Sequence, residues 1–220
     1  MRSRPRIKIC CISSLEEAHT AIKCGADAVG LVSKMPSGPG VIDENLIAEI
    51  ARAIPPGVAS FLLTSLQDAD AIITQHRRLR TNTIQICDRL ESGTYDDLRK
   101  AMPGVGLVQV VHVSGPESVE EAREVARHVD ALLLDSGNQS LAVKELGGTG
   151  RTHDWQWSRE IREASGKPVY LAGGINGSNV SAAWETVRPF GFDLCSSVRT
   201  NGLLDADKLR EFMNRASDLG

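Results

Sequence analysis

The residues of this chain that could move protons recur at one kind of place, the end of a short apolar run. Cys10 ends the run IKIC, Lys34 follows AVGLVS and opens the loop MPSGPG, Cys87 and Asp88 end TIQICD, His112 lies near the end of LVQVVHV, and Asp135 ends ALLLD. Thiol, carboxyl, imidazole and ammonium groups are the usual means of general acid–base catalysis. Each also has a plainer reading. Cys10 inside an apolar run is equally a small buried hydrophobe. Asp135 is equally a cap on a helix or loop, and His112 a core-edge histidine bonded to backbone.

Glycine adds a second chemistry. The stretch GGTG (147–150, with Gly148 and Gly150), AGGIN (with Gly173 and Gly174) and the Ser196-Ser197 turn of SSVRTNG gather in the second half of a chain with 20 glycines. Backbone N–H groups at such turns and at helix N-termini hold phosphate oxygens, and glycine permits the close approach this needs. AGG alone could be a tight turn; the three features together favour a phosphorylated ligand.

The elements that must position these residues alternate. Apolar runs at 7–12, 28–33, 58–64, 83–88, 107–113, 131–136, 168–174 and 192–198 are separated by segments of helical period. LEEAHTAIKCG places Leu15, Ala18, Ala21 and Ile22 on one face and stops at Gly25, SVEEAREVARHV does the same with Val119, Ala122, Val125, Ala126 and Val129, and DADKLREFMNRA forms an eighth helix. Strands that read as continuous apolar runs are buried on both faces, as in a parallel sheet. Eight units of about 27 residues predict one α/β domain over 1–220, a (β/α)8 TIM barrel. A doubly wound open sheet would more often show a glycine fingerprint after its first strand, and CCISSLEE has none. In a barrel the site lies at the C-terminal ends of the strands, with phosphate held by the loops after strands 7 and 8. Those are the places where the reactive residues and the glycines fall.

Composition removes other classes. With 25 Lys+Arg against 28 Asp+Glu in 220 residues, the net charge of -3 argues against a nucleic-acid or polybasic membrane partner. Aromatics make up only 4%, which argues against base- or sugar-stacking surfaces. No apolar run approaches the roughly 18 residues of a membrane span, and Lys8 interrupts the short apolar stretch after the basic N-terminus, so no secretory signal is expected and the cytoplasm is the expected location. Cys10, Cys11, Cys24, Cys87 and Cys195 are odd in number and scattered, which fits reduced thiols. No CxxC or HExxH spacing is present, so no metal is expected.

Several of these segments, taken in order, resemble the phosphoribosylanthranilate isomerase family: KIC, GADAVGLV, LLLDS, GGTGRTHDW, KPVYLAGGIN and RPFGFDLCSS. The resemblance covers nearly the whole chain and implies a small (β/α)8 barrel. It implies a cofactor-free Amadori rearrangement in tryptophan biosynthesis. N-(5-phosphoribosyl)anthranilate becomes 1-(2-carboxyphenylamino)-1-deoxyribulose 5-phosphate. It further implies Cys10 as the base, Asp135 as the acid, phosphate held by Gly148, Gly150, Gly173, Gly174, Ser196 and Ser197, and Asp193 as an active-site aspartate. A thiol of ordinary pKa near ~8.5 serves as base as its thiolate, and a carboxyl donates at neutral pH when its pKa is raised.

Departures from the family pattern are equally specific. Cys11 replaces the glycine of KICG. Pro39, in Ser37-Gly38-Pro39-Gly40-Val41, stands where an arginine of S-x-R-x-V pairs the anthranilate carboxylate. Gln85-Ile86-Cys87-Asp88 replaces QLHG, and His153 precedes Asp154-Trp155 where phenylalanine is usual. Cys195-Ser196-Ser197-Val198-Arg199 replaces SSGVE. Lys34, Arg151 or Arg199 would then have to take over the carboxylate, with His112 a further possible contact. Besides this isomerase, two other readings stay open: a related barrel isomerase for a different phosphosugar, and a barrel that only binds a phosphorylated ligand. The expected partner is a small phosphosugar, with a monomer or homodimer as the assembly.

Overall fold

A computed structural model describes residues 4–137, 146 and 153–219. Among the described residues, eight parallel strands close into a barrel in sequence order: β1 (Arg6–Ile9), β2 (Ala28–Val32), β3 (Ala59–Thr64), β4 (Thr83–Ile86), β5 (Gly106–His112), β6 (Ala131–Asp135), β7 (Val169–Leu171) and β8 (Gly191–Leu194). Each is followed by a helix: α1 (Leu15–Lys23), α2 (Glu44–Ala53), α3 (Ala69–Leu79), α4 (Tyr95–Ala101), α5 (Glu117–Ala126), α6 (Trp155–Ser165), α7 (Val180–Val187) and α8 (Ala206–Ser217). A 3-10 turn (Ser196–Val198) and a two-stranded ribbon, β9 (Arg199–Thr200) with β10 (Leu203–Leu204), fill the connection from β8 to α8. The expected (β/α)8 TIM barrel is what the chain forms.

Six of these eight helices start where a short polar side chain caps them, α5 and α7 being the exceptions. Ser14, Asp43, Asp68, Asp154 and Asp205 each accept a bond from a first-turn N–H, and Thr94 with Asp97 makes a full capping box. Such bonds satisfy N–H groups that the helix itself leaves without partners.

The strands sort their side chains by parity. Ile7, Ile9, Val29, Leu31, Ile84, Ile86, Leu132, Leu134, Leu171, Phe192 and Leu194 pack in one cluster with the helix residues. Cys10, Ala28, Val32, Phe61, Leu63, Val108, Val110, Leu133, Tyr170 and Ala172 form a second cluster, inside the barrel. Alternate residues of a strand face opposite sides of the sheet, so both faces are apolar and the runs read as continuous.

Most of the expected runs extend past the observed strands at their C-terminal ends. β1 stops at Ile9, not 12, β7 at Leu171, not 174, and β8 at Leu194, not 198. One more ladder bond forms beyond several strands, Cys10 N–H to Leu194 O at 2.7 Å and Ala172 N–H to Leu134 O at 2.8 Å. The chain then turns away, while Cys10, Cys11, Ile12, Cys87, Ala172 and Val198 stay buried at the mouth. Burial kept these segments apolar after strand pairing had ended. Cys10, Cys87, Gly173, Gly174 and Ser196 therefore sit on the turns just beyond their strands, while His112 and Asp135 are true strand ends.

Candidate active site

A cleft of about 740 Å³, partly open to solvent, lies at the C-terminal mouth of the barrel. Cys10, Asp135, Gly173, Gly174, Asp193, Ser196 and Ser197 all line it. Parity explains the first two. Asp135 follows Ala131 and Leu133, and Cys10 follows Lys8, on the inward-facing row of their strands. Asp135 is buried, and its Oδ1 accepts from the Ser136 N–H at 2.7 Å. Cys11, Cys87 and Cys195 also line the cleft; burial pushes the Cys87 thiol up to about 12, so it is neutral at physiological pH.

Two turns form the wall next to these groups. Gly173 and Gly174 have φ of 79° and 66°, a conformation that glycine adopts without strain. The Gly174 carbonyl accepts from the side-chain amides of Asn176 and Asn179, which braces the turn into α7. The second turn is the 3-10 turn at Ser196–Val198, where Ser197 Oγ is buried without a protein partner. An unpartnered hydroxyl beside a glycine turn is suited to an anionic oxygen.

Beneath the cleft lies a charge pair that sequence reasoning missed. Lys8 is fully buried inside the barrel, and its Nζ donates to Asp193 Oδ1 at 2.8 Å. Burial alone would lower the Lys8 pKa, but the charges of Asp193 and of the nearby cysteines hold it above the usual lysine range. The two residues are Cα partners where β8 closes against β1. The signal was present: a lysine on the inner row of an apolar strand requires a buried carboxylate, and Asp193 occupies the inner row of the last strand.

The structure does not bring every expected residue to the cleft. The Arg199 guanidinium is committed elsewhere, to Glu17 Oε1 at 2.9 Å and to the carbonyls of Cys10, Cys11 and Gly202. It locks the β1 turn to the β8 connection, so it is not placed as a carboxylate clamp. Lys34 is exposed and faces an outer groove with Glu44, Asp70 and Arg78. His112 directs Nε2 to the Cys87 carbonyl at 3.1 Å and lies outside the cleft lining, as its core-edge reading anticipated. Gly148, Gly150 and Arg151 lie outside the described residues. Pro39 lines the cleft, and among its described lining residues there is no arginine or lysine. His153 stands near Asp135; burial holds its imidazole below the usual range, against the opposing charges of Asp135 and Asp154, and Nε2 contacts Ser158 Oγ at 2.6 Å. Among the described residues, no group of three His, Cys, Asp or Glu side chains is placed to hold a metal ion, and no helix is long and apolar enough to cross a membrane.

A closed parallel barrel whose C-terminal mouth gathers thiols, carboxyls and two tight turns in one cleft defines a (β/α)8-barrel enzyme. The chain belongs to the N-(5'-phosphoribosyl)anthranilate (PRA) isomerase family, which it matches over residues 7–215. It is 35% identical to N-(5'-phosphoribosyl)anthranilate isomerase 2 of Methanosarcina mazei, over 97% of this chain and 94% of that protein. It is 33% identical to the enzyme of Haloarcula marismortui, over 96% and 95%. Among solved structures, phosphoribosyl anthranilate isomerase from Thermotoga maritima superposes with a TM-score of 0.79 at 28% identity, covering 97% of this chain and 99% of that one. A phosphoribosyl anthranilate isomerase in complex with reduced 1-(o-carboxyphenylamino)-1-deoxyribulose 5-phosphate superposes at 0.76 with 26% identity, over 97% and 99%.

Proposed function

We propose that this barrel catalyses the Amadori rearrangement of N-(5-phosphoribosyl)anthranilate to 1-(2-carboxyphenylamino)-1-deoxyribulose 5-phosphate, a step of tryptophan biosynthesis, as one domain working in the cytoplasm without a cofactor. The observation that carries this reading is that Cys10 and Asp135 line the same cleft as Gly173, Gly174, Ser196 and Ser197. Phosphate anchored on the two turns directs the ribose ring into the barrel mouth. Asp135 protonates the ring oxygen, which opens the ring to a Schiff base. Cys10 removes the C2 proton, and the enolamine tautomerises to the ketone. Positioning by the phosphate turns and proton transfer by the two side chains are the two contributions the protein makes. Asp193, held by Lys8, lies at the cleft floor facing the sugar.

Purified protein should convert phosphoribosylanthranilate with loss of the substrate's fluorescence. No turnover by well-folded protein refutes the proposal. A second reading, a relative acting on a different phosphosugar, is favoured by Pro39 and by the lack of a lysine or arginine in the described lining. A carboxylate without its bidentate partner loses a few kcal/mol, on the order of 1–3. In that case phosphosugars lacking the aromatic carboxylate are the better substrates. The assembly is a monomer or a homodimer.

A further inference from the structure

Cys11 and Cys195 lie 184 residues apart in sequence, and their sulfurs are 3.0 Å apart. Both line the open cleft, between the end of β1 and the end of β8. Neither residue is the one the family pattern carries at its position. Cys11 has φ of +61°, in the left-handed region that non-glycine residues rarely adopt. This conformation is strained for a residue that carries a β-carbon. The chain thus holds a cysteine at a strained position, with its sulfur against a second cysteine.

We propose that Cys11 and Cys195 are a reversible disulfide site across the barrel mouth, and that closing it switches the neighbouring site off. The activity half rests on the isomerase reading above; the bond itself does not. The chemistry of the pair is asymmetric. The hydrogen bond between the two sulfurs holds the Cys195 thiol below its usual range, with the Arg199 charge assisting and burial opposing. Hydrogen bonds to Cys10 and Cys195, together with burial, push the Cys11 thiol up. Of the two, Cys195 is therefore the more readily ionised and the more exposed. Low-pKa accessible thiolates beside a resolving cysteine are the ones that oxidise reversibly.

With hydrogen peroxide as oxidant, the Cys195 thiolate attacks one oxygen, the O–O bond breaks, Cys195 becomes a sulfenic acid, and the departing hydroxide takes up the proton the thiol had released to form the first water. The Cys11 thiol then attacks the Cys195 sulfur, the S–O bond breaks, and the leaving hydroxide takes the Cys11 proton to form the second water. Two thiols lose two electrons and two protons, and peroxide becomes two waters. An S–S bond is about 2.05 Å long, so the sulfurs close by about 1 Å. Cys10 adjoins Cys11 and Ser196 adjoins Cys195 in the chain, so the bond moves the proposed base and the phosphate turn together. A misplacement of about 1 Å at such groups costs on the order of 100-fold in rate.

The test is to measure turnover of phosphoribosylanthranilate by the reduced protein, oxidise it with stepwise peroxide, and follow intact mass, non-reducing peptide maps and turnover. The expected result is a loss of 2 Da, a Cys11–Cys195 linked peptide, turnover falling in step with the linked fraction, and full recovery in dithiothreitol. In Cys11→Gly, whose glycine suits the left-handed backbone, and in Cys195→Ser, no such linked peptide forms. A Cys10–Cys11 link, links only between molecules, oxygen adducts alone, or no reaction overturns the site. A Cys11–Cys195 link that leaves turnover unchanged overturns the switch. If the reduced protein shows no turnover, the isomerase reading fails, while the mass and peptide maps still decide whether the bond forms.

Discussion

Replacing Lys8 by methionine isolates the most consequential charge in the barrel. Methionine keeps the length of the stem and its packing, and removes only the ammonium that meets Asp193 Oδ1 at 2.8 Å. Burial already pushes Asp193 up, and Lys8 is the main force opposing it. Deleting one partner of a buried pair typically costs roughly 3–5 kcal/mol. The carboxyl has an escape, however: it can protonate. At ~1.36 kcal/mol per pH unit above an ordinary pKa near 3.9, that route costs about 4 kcal/mol at pH 7 and about 1.5 at pH 5. The expected loss is therefore about 3–4 kcal/mol at pH 7, shrinking to about 1.5 at pH 5. The sign follows from linkage. In the variant the folded-state pKa of Asp193 lies above its unfolded value, so the stability it contributes is fully present below about 3.9 and is lost as pH rises through the raised value. Urea unfolding at both pH values, followed by far-UV circular dichroism with the slope held common, measures it. Adding Asp193→Asn to Lys8→Met should recover more than half of the loss at pH 7. A loss under about 1 kcal/mol at pH 7, or one equal at the two pH values, refutes the account of Lys8 as an obligatory counter-charge.

Cys10→Ser and Asp135→Asn should each lower kcat by a factor on the order of 100 to 10,000 while leaving the circular dichroism spectrum and unfolding midpoint near those of the parent; two active variants would remove both assigned roles. Glu17 accepts from Arg199, from the Ser13 N–H at 2.9 Å and from the Leu204 N–H at 2.8 Å. Burial pushes its carboxyl up, but these partners prevail and hold it below the usual range. Its contribution is therefore present above about pH 4.3 and lost as pH falls through the depressed value. Glu17→Gln should cost about 2–3 kcal/mol at pH 7 and flatten the loss of stability on acidification, read from unfolding midpoints between pH 7 and 3. Gly191→Ala places a Cβ 2.6 Å from the Arg6 carbonyl and 2.8 Å from the Tyr170 ring, inside the β1–β8 seam. It should cost at least about 1–3 kcal/mol, or about 2–4 °C in Tm per kcal/mol, measured by calorimetry.

What the amino-acid sequence determined by itself was everything carried by local period. Eight apolar runs alternating with amphipathic helical segments dictated the barrel, because side-chain parity and helical period are properties of consecutive residues. The same parity carried Cys10 and Asp135 to the inner row at the mouth, and glycine chemistry marked the Gly173-Gly174 turn. Run lengths misled at the C-terminal ends, since burial at the mouth keeps residues apolar after the ladder has stopped. Only the closed barrel decided the rest. Arg199, a candidate for a substrate carboxylate, is consumed by Glu17 because the β8 connection folds back over α1. Lys8 finds Asp193 from 185 positions away, and Cys11 finds Cys195 from 184, because β8 returns to pair with β1. Pairings at that separation depend on barrel closure and register, which no local pattern encodes.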